Sequence, residues 1–324
     1  SEDFISNFGF QSNFDLYFKN FNVVGKKDKL YTSNTQIDGM NLFKIDSSYP
    51  LLKWNNIVKE TLTPKISFRI NPINNMNNFS NSVRNIGVNN VFDINRIGIS
   101  NDFEAGRSLT FGLDYKFDLT NDNPLENATD NPSEILKDKY LEIKLATVIR
   151  DQNESNIPLS STLNRKNSDI FGSIENKLFN NIDLLYEFSL DNNMKTINSN
   201  TIETEISINN FVTSFNFIEQ RNEIGSTHLL SNTTEYKIDD RKSLKFSTRR
   251  NKKINLTEYY DLSYEYKNDC LTAAIKFNKR FYQDKDLKPT EDLFFSITLV
   301  PLTTYEREIY KKTPGQSGLK GWFR

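Results

Sequence analysis

The sequence predicts an all-β protein, an antiparallel transmembrane β-barrel or the C-terminal strands of a larger one, and three observations carry that reading. Apolar residues recur with a period of two in stretch after stretch. The positions between them are charged or amide-bearing, so that face has to meet water. The connections alternate long and short, as they do when one set of turns lies on the periplasmic side and the other outside the cell. A soluble sandwich also alternates along its strands, but nothing in its construction demands the rhythm of connections.

"TPKISFRINP" reads as a strand, with Ile66, Phe68 and Ile70 facing one way. "RSLTFGLDYKF" follows, with Leu109, Phe111, Leu113, Tyr115 and Phe117 on one face and Ser108, Thr110, Asp114 and Lys116 on the other. The alternation returns in "YLEIKLATVIR", "IDLLYEFSL" and "TIETEISI", where Glu203 and Glu205 share the polar face. It recurs in "SLKFSTR", in "YYDLSYEY", in "LTAAIKFNKRF" and in "DLFFSITL", which is predicted as the final strand, residues 292 to 300. Residues 1 to 50 give several short strand candidates, and "NNMNNFSNSVRNIGVNN" reads as a polar loop.

Tight turns are predicted at Asn180 and Asn181, at Asn209 and Asn210, at 239 to 241 and at 268 to 270. Longer loops fall at 151 to 169, 191 to 200, 220 to 226, 251 to 256 and 283 to 291. Residues 119 to 139 break the rhythm, being long and polar where a turn is due, and read as an insertion.

Composition narrows the class. Hydrophobic residues make up 36% of the chain, yet 25 Phe and 14 Tyr are more than a disordered chain carries. No window approaches the roughly 18 to 20 apolar residues of a membrane helix. With 41 basic and 42 acidic residues the net charge is -1, which gives no electrostatic pull toward nucleic acid. The N-terminal residues show neither a signal-peptide nor a transit-peptide pattern, which points to a cytosolic protein or to a mature segment of something longer.

Enzyme chemistry finds little support. One His and one Cys cannot make a zinc or iron set, and His228 reads as a packing residue beside Leu230 and Tyr236. No phosphate-binding glycine loop or nucleophile elbow occurs, and Glu203 and Glu205 read as solvated residues of one polar face. No cofactor is expected. The basic run Arg249, Arg250, Lys252 and Lys253 spans a strand end and a long loop; it reads as a solvated loop, or as cations that meet lipopolysaccharide phosphates. Cys270, the single cysteine, begins a strand beside a polar turn placed at the periplasmic rim. It is either a buried unpaired thiol or half of a disulfide to a partner or to another part of the protein.

"YEYKNDCLTAAIKFNKRFY" followed by "DLFFSITLVPL" resembles the C-terminal hairpins of the LptD family, the organic solvent tolerance proteins that assemble lipopolysaccharide in the outer membrane. "TLTPKISFRINP" and "DINRIGISNDFEAGRSLTFGLDY" resemble two earlier stretches of the family. The resemblance implies that residues 1–303 form the later part of a laterally gated barrel and that 304–324 form a periplasmic tail. It implies lipopolysaccharide as cargo, a plug lipoprotein of the LptE kind, a periplasmic bridge protein, the barrel-assembly machinery as partners, and the bacterial outer membrane as location. Cys270 then bonds the barrel to a periplasmic domain, and Asp292, Phe294, Ile297 and Leu299 stand at the folding signal and lateral seam, with Phe294 replacing the family's glycine. Two other readings stand beside it: a self-contained porin-like or autotransporter-like barrel, and a soluble β-rich adhesin or binding module.

Overall fold

The computed structural model describes residues 2–25, 34–55, 57–72, 84–98, 103–119, 139–155, 157–281, 289–299 and 303–312. They fall into two compact units: residues 1–178, 186–200 and 220–226, and residues 179–185, 201–219 and 227–324.

The first unit is an antiparallel meander. Its strands are β1 (Glu2–Ile5), β2 (Gln11–Val23), β3 (Gln36–Ser48), β4 (Leu51–Trp54), β5 (Val58–Asn71), β6 (Gly106–Leu119), β7 (Lys139–Arg150) and most of β8 (Ile170–Phe179). Pairing runs β1 to β2 to β3 to β5 to β6 to β7 to β8, with short β4 beside β5. Strands β9 (Ile182–Leu190) and β10 (Ile197–Ile208) are divided between the units. The second unit pairs β11 (Phe211–Gln220), β12 (His228–Asp239), β13 (Lys242–Asn251), β14 (Leu256–Lys267), β15 (Leu271–Arg280), β16 (Thr290–Leu299) and β17 (Thr303–Lys312) in chain order. The all-β, antiparallel expectation is borne out. Among the described residues the helical structure is one 3-10 turn, Leu159–Ser161.

Chain-order pairing follows from the turns. Asn180–Asn181, Asn209–Asn210 and Asp240–Arg241 leave two residues between strands, enough only for an antiparallel hairpin. Asn209 takes φ 50°, a left-handed conformation that asparagine tolerates better than most residues.

Burial is inverted relative to a water-soluble sheet. On β5 and β6, Ser67, Arg69, Asn71, Ser108 and Thr110 are all 3% exposed or less, whereas Ile66, Phe68, Phe111 and Leu113 are each about 40% exposed. The two sets occupy opposite faces, because Ser67 pairs with Thr110 and Ile66 with Phe111. In the second unit Tyr236, Tyr260, Leu262, Tyr264 and Ile275 are exposed, while Ser296, on the face opposite Ile275, is buried. A sheet in water places its apolar face inward, since each buried aliphatic or aromatic side chain contributes about 1.5–3 kcal/mol.

The structure corrects four sequence expectations. Residues 292 to 300 are not the final strand: β16 is paired on one side with β15 and on the other with β17, so the tail expected from residue 304 gives way to a strand at 303–312. The motif "TTYEREIYKK" hid it, because Arg307 interrupts the apolar phase of Tyr305 and Ile309. Second, residues 11–23 and 36–48 form two 13-residue strands rather than short pieces. Third, the connection carrying Lys252 and Lys253 is four residues, 252–255, rather than a long loop. Fourth, the expected polar loop is in its described part, residues 84–90, folded against the sheet together with the following residues 91–98. The insertion expected at 119 to 139 lies, except for its first and last residues, outside the described residues.

Candidate functional site

The connection from β5 to β6 carries the most concentrated chemistry. Asn90 and Asn95 shape its described part: Asn90 Oδ1 accepts from the Gly87 N–H at 3.0 Å and its Nδ2 donates to the Asn85 carbonyl at 2.8 Å, while Asn95 Oδ1 accepts from the Gly98 N–H. These turns present Val91 and Ile97 to Ala146, Val148 and Phe171 of β7 and β8, joined by Ile157 and Leu163 of the next connection. Ala146 and Val148 stand in the polar phase of β7, opposite Gly112 and Thr110. The segment therefore packs on the polar face. Gly112 makes the approach possible: a Cβ there would lie 2.6 Å from Phe92 Cζ.

At the centre Glu104 meets three guanidinium groups. Arg96 grips its carboxylate with Nε at 2.8 Å and with Nη2, and Arg150 Nη2 donates to the same Oε1 at 2.5 Å. Arg69 Nε stands 3.8 Å from Oε1. Arg69 and Arg150 come from β5 and β7, in one transverse row through Ser108. Arg96 and Glu104 come from the connection, so the cluster clamps that segment to the sheet. Arg96 also donates to Thr110 Oγ1 at 3.0 Å and Ser108 Oγ at 2.9 Å, and Arg69 Nη1 to the Ile94 carbonyl at 2.5 Å. Burial alone would raise the Glu104 carboxyl, but the neighbouring guanidiniums, Arg96 foremost, hold it down to about 2.

A second polar nest lies among the later connections of this unit. Buried Asp169 accepts from Ser189 Oγ at 2.7 Å and Asn198 Nδ2 at 2.8 Å, and burial raises its carboxyl above the ordinary range. Arg165 pairs with Glu223 and approaches Asp191 at 3.8 Å beside it.

The residues singled out from sequence lie elsewhere, in the second unit. Cys270 is an exposed free thiol in the turn from β14 to β15, its N–H donating to Asn268 Oδ1 at 3.1 Å. Arg249 pairs with Glu258 at 2.5 Å and lies over Tyr259, Arg250 donates to Asn255 Oδ1 at 2.5 Å, and Lys252 lies over Phe217. The Lys253 N–H donates to Asn251 Oδ1. Strand β14 separates the basic run from Cys270 by about 40 Å. Asp292, Phe294, Ile297 and Leu299 lie on β16, opposite Lys311, Glu308, Tyr305 and Thr303 of β17. His228 packs edge-on against Phe217 at 5.4 Å. Sequence reasoning assigns no role to Arg96 or Glu104, although both lie in the "DINRIGISNDFEAGR" stretch. The available signal is a connection studded with Ile, Val and Phe, more apolar than a solvated loop needs.

No family model and no curated protein matches the chain. Among solved structures it is similar to mutants of a porin from Rh. blastica: one at 8% identity covers 88% of this chain and 89% of that one with a TM-score of 0.33, and another at 8% identity covers 91% and 92% with a TM-score of 0.34. Overlap of that size carries no argument about function.

Proposed function

We propose that the chain forms an outer-membrane β-barrel whose exposed apolar face meets lipid and whose polar face lines an aqueous route for small solutes, without covalent chemistry. The inverted burial is the observation that carries this reading: Phe68, Phe111, Leu113 and Ile275 are exposed while Ser67, Arg69, Ser108 and Thr110 are buried. Lipid is the solvent in which such a surface is stable. In this reading the segment around Glu104 narrows the route, because it packs on the polar face. The self-contained porin-like form fits these features with no further part. The lipopolysaccharide-translocon form rests on the resemblance of residues 264 to 282 and 292 to 302.

Reconstitution of the purified chain into planar bilayers tests the proposal. Discrete conductance steps are expected. A chain that stays folded in water without detergent or lipid overturns it in favour of a soluble module. Insertion without conductance, together with dependence on a plug lipoprotein for a stable fold, favours the translocon form.

A further inference from the structure

Three alternate connections, those that follow β7, β9 and β11, enclose a polar cavity of about 520 Å3 within the first unit. Backbone bonds fix them: the Arg221 N–H donates to the Asn198 carbonyl at 2.7 Å, and the Asp191 N–H to the Thr196 carbonyl at 2.9 Å. Two buried polar side chains line the cavity, Thr162 at 1% exposure and Asn198 at 4%. Asn198 is held from both sides, its Nδ2 donating to Asp169 at 2.8 Å and its Oδ1 accepting from Asn222 Nδ2 at 2.6 Å. The Thr162 hydroxyl accepts from the Asp169 N–H, yet its own proton and the second amide proton of Asn198 find no acceptor among the described residues. Buried donors left over in this way call for a ligand or ordered water.

The wall carries charges of both signs with room between them. Arg165 gives Nη2 to Glu223, whereas its Nη1 stops 3.8 Å from Asp191 Oδ1, too far for a hydrogen bond. Among the described residues the Asp191 carboxylate accepts one hydrogen bond, from Asn193 Nδ2 at 3.3 Å on the other oxygen. A hydroxyl oxygen about 2.8 Å from both Nη1 and Oδ1 spans that gap, accepting from the one and donating to the other. Asn222 Oδ1 and Glu223 Oε1 add acceptors that no described donor takes. A simple anion meets Asp191 and Glu223 here, and a simple cation meets Arg165. A molecule whose groups each donate and accept meets neither obstacle.

We infer that this cavity binds a small neutral polyol of the size of one sugar ring. Neighbouring hydroxyls of such a ring match the two oxygens of Asp191 or the edge of Arg165, a further hydroxyl takes the spare donors of Thr162 and Asn198, and Ile224 offers an apolar contact to the C–H face. The volume falls within the roughly 300–1,000 Å3 of pockets that hold small organic molecules. The inference goes beyond the proposed function: it concerns the connections rather than either face of the sheet, and it depends on neither lipid contact nor conductance.

Saturation-transfer NMR on the full chain, in a detergent without a sugar head group and with glucose, galactose and mannose as probes, tests the site. A signal that saturates at millimolar sugar is expected from at least one of the three. Asp191→Ala removes the acceptor at the gap and keeps the backbone bonds of its turn; it is expected to weaken the affinity about tenfold or more. No saturable signal from any of the three sugars means that water alone fills the cavity, and it overturns the inference without bearing on membrane insertion or conductance. Binding retained in full by Asp191→Ala places the sugar elsewhere and overturns it too. Ethanolamine that displaces the sugar at equal or lower concentration also overturns it, since the cavity then reads positive charge. The wild-type titrations decide even if the variant does not fold.

Discussion

Arg96 Nε and Glu104 Oε2 are 2.8 Å apart, both side chains are 2% exposed or less, and both belong to the connection rather than to the strands it crosses. The pair gives that connection a charged centre which only Arg69 and Arg150 of the sheet complete. Removing one member of such a cluster leaves the others buried without their counterion, which costs about 3–5 kcal/mol.

Acid is expected to undo this clamp. The Glu104 carboxyl is depressed from 4.5 to about 2, so the stabilisation it supplies is complete above about pH 4.5 and is lost as the pH falls toward 2. The shift corresponds to a contribution on the order of 3 kcal/mol. Unfolding free energy measured across this range is expected to fall in the wild type, and Glu104→Gln should start lower and show a flatter profile.

Leu113→Arg or Ile275→Arg places a charge on an exposed apolar position. In lipid vesicles either change is expected to cost about 2–4 kcal/mol if the residue lies near the bilayer midplane. Equal stability of wild type and both variants in vesicles contradicts a lipid-facing role for that face.

Gly112→Ala forces a Cβ into Phe92, whose nearest ring atom is 2.6 Å away. Overpacking of this kind costs about 1–3 kcal/mol. A double-mutant cycle with Phe92→Ala is the check: the cost of Gly112→Ala should largely vanish when the ring is absent.

Cys270 is exposed, so a maleimide probe is expected to label it in the folded chain without denaturant. Cys270→Ser should change stability by less than about 0.5 kcal/mol. Non-reducing electrophoresis of the chain from its native source decides the pairing: a band shift abolished by Cys270→Ser reveals a disulfide partner, and full labelling reveals a free thiol, exposed rather than buried as one sequence reading expects.

Much of the sheet is legible in the sequence because a strand's signal is local. In β6, Leu109, Phe111 and Leu113 alternate with Ser108 and Thr110, and the structure assigns the two sets to opposite faces. In β2 the phase is mixed, since Tyr17 stands between Leu16 and Phe18, and the strand reads as fragments. The Glu104 cluster is illegible for a different reason. Its four members lie at positions 69, 96, 104 and 150, and no spacing rule links a loop carboxylate to guanidiniums on two strands brought together by pairing through Ser108. Besides the apolar residues of the connection itself, Ala146 and Val148 give a local hint, being apolar residues in the polar phase of β7 that pack beneath the folded connection.

The alternation that builds the two faces also bears on how such a chain travels. On most strands Phe and Leu alternate with residues that prefer water, so mean hydropathy stays at -0.61, and among the described residues no helix is long and apolar enough to cross a membrane. While unfolded, the chain presents no greasy run that a helix-inserting machinery would retain. In the proposed barrel, affinity for lipid arises only when neighbouring strands pair and bring the alternate side chains onto one surface. On that proposal, passage through water and insertion into lipid are separated by the act of folding itself.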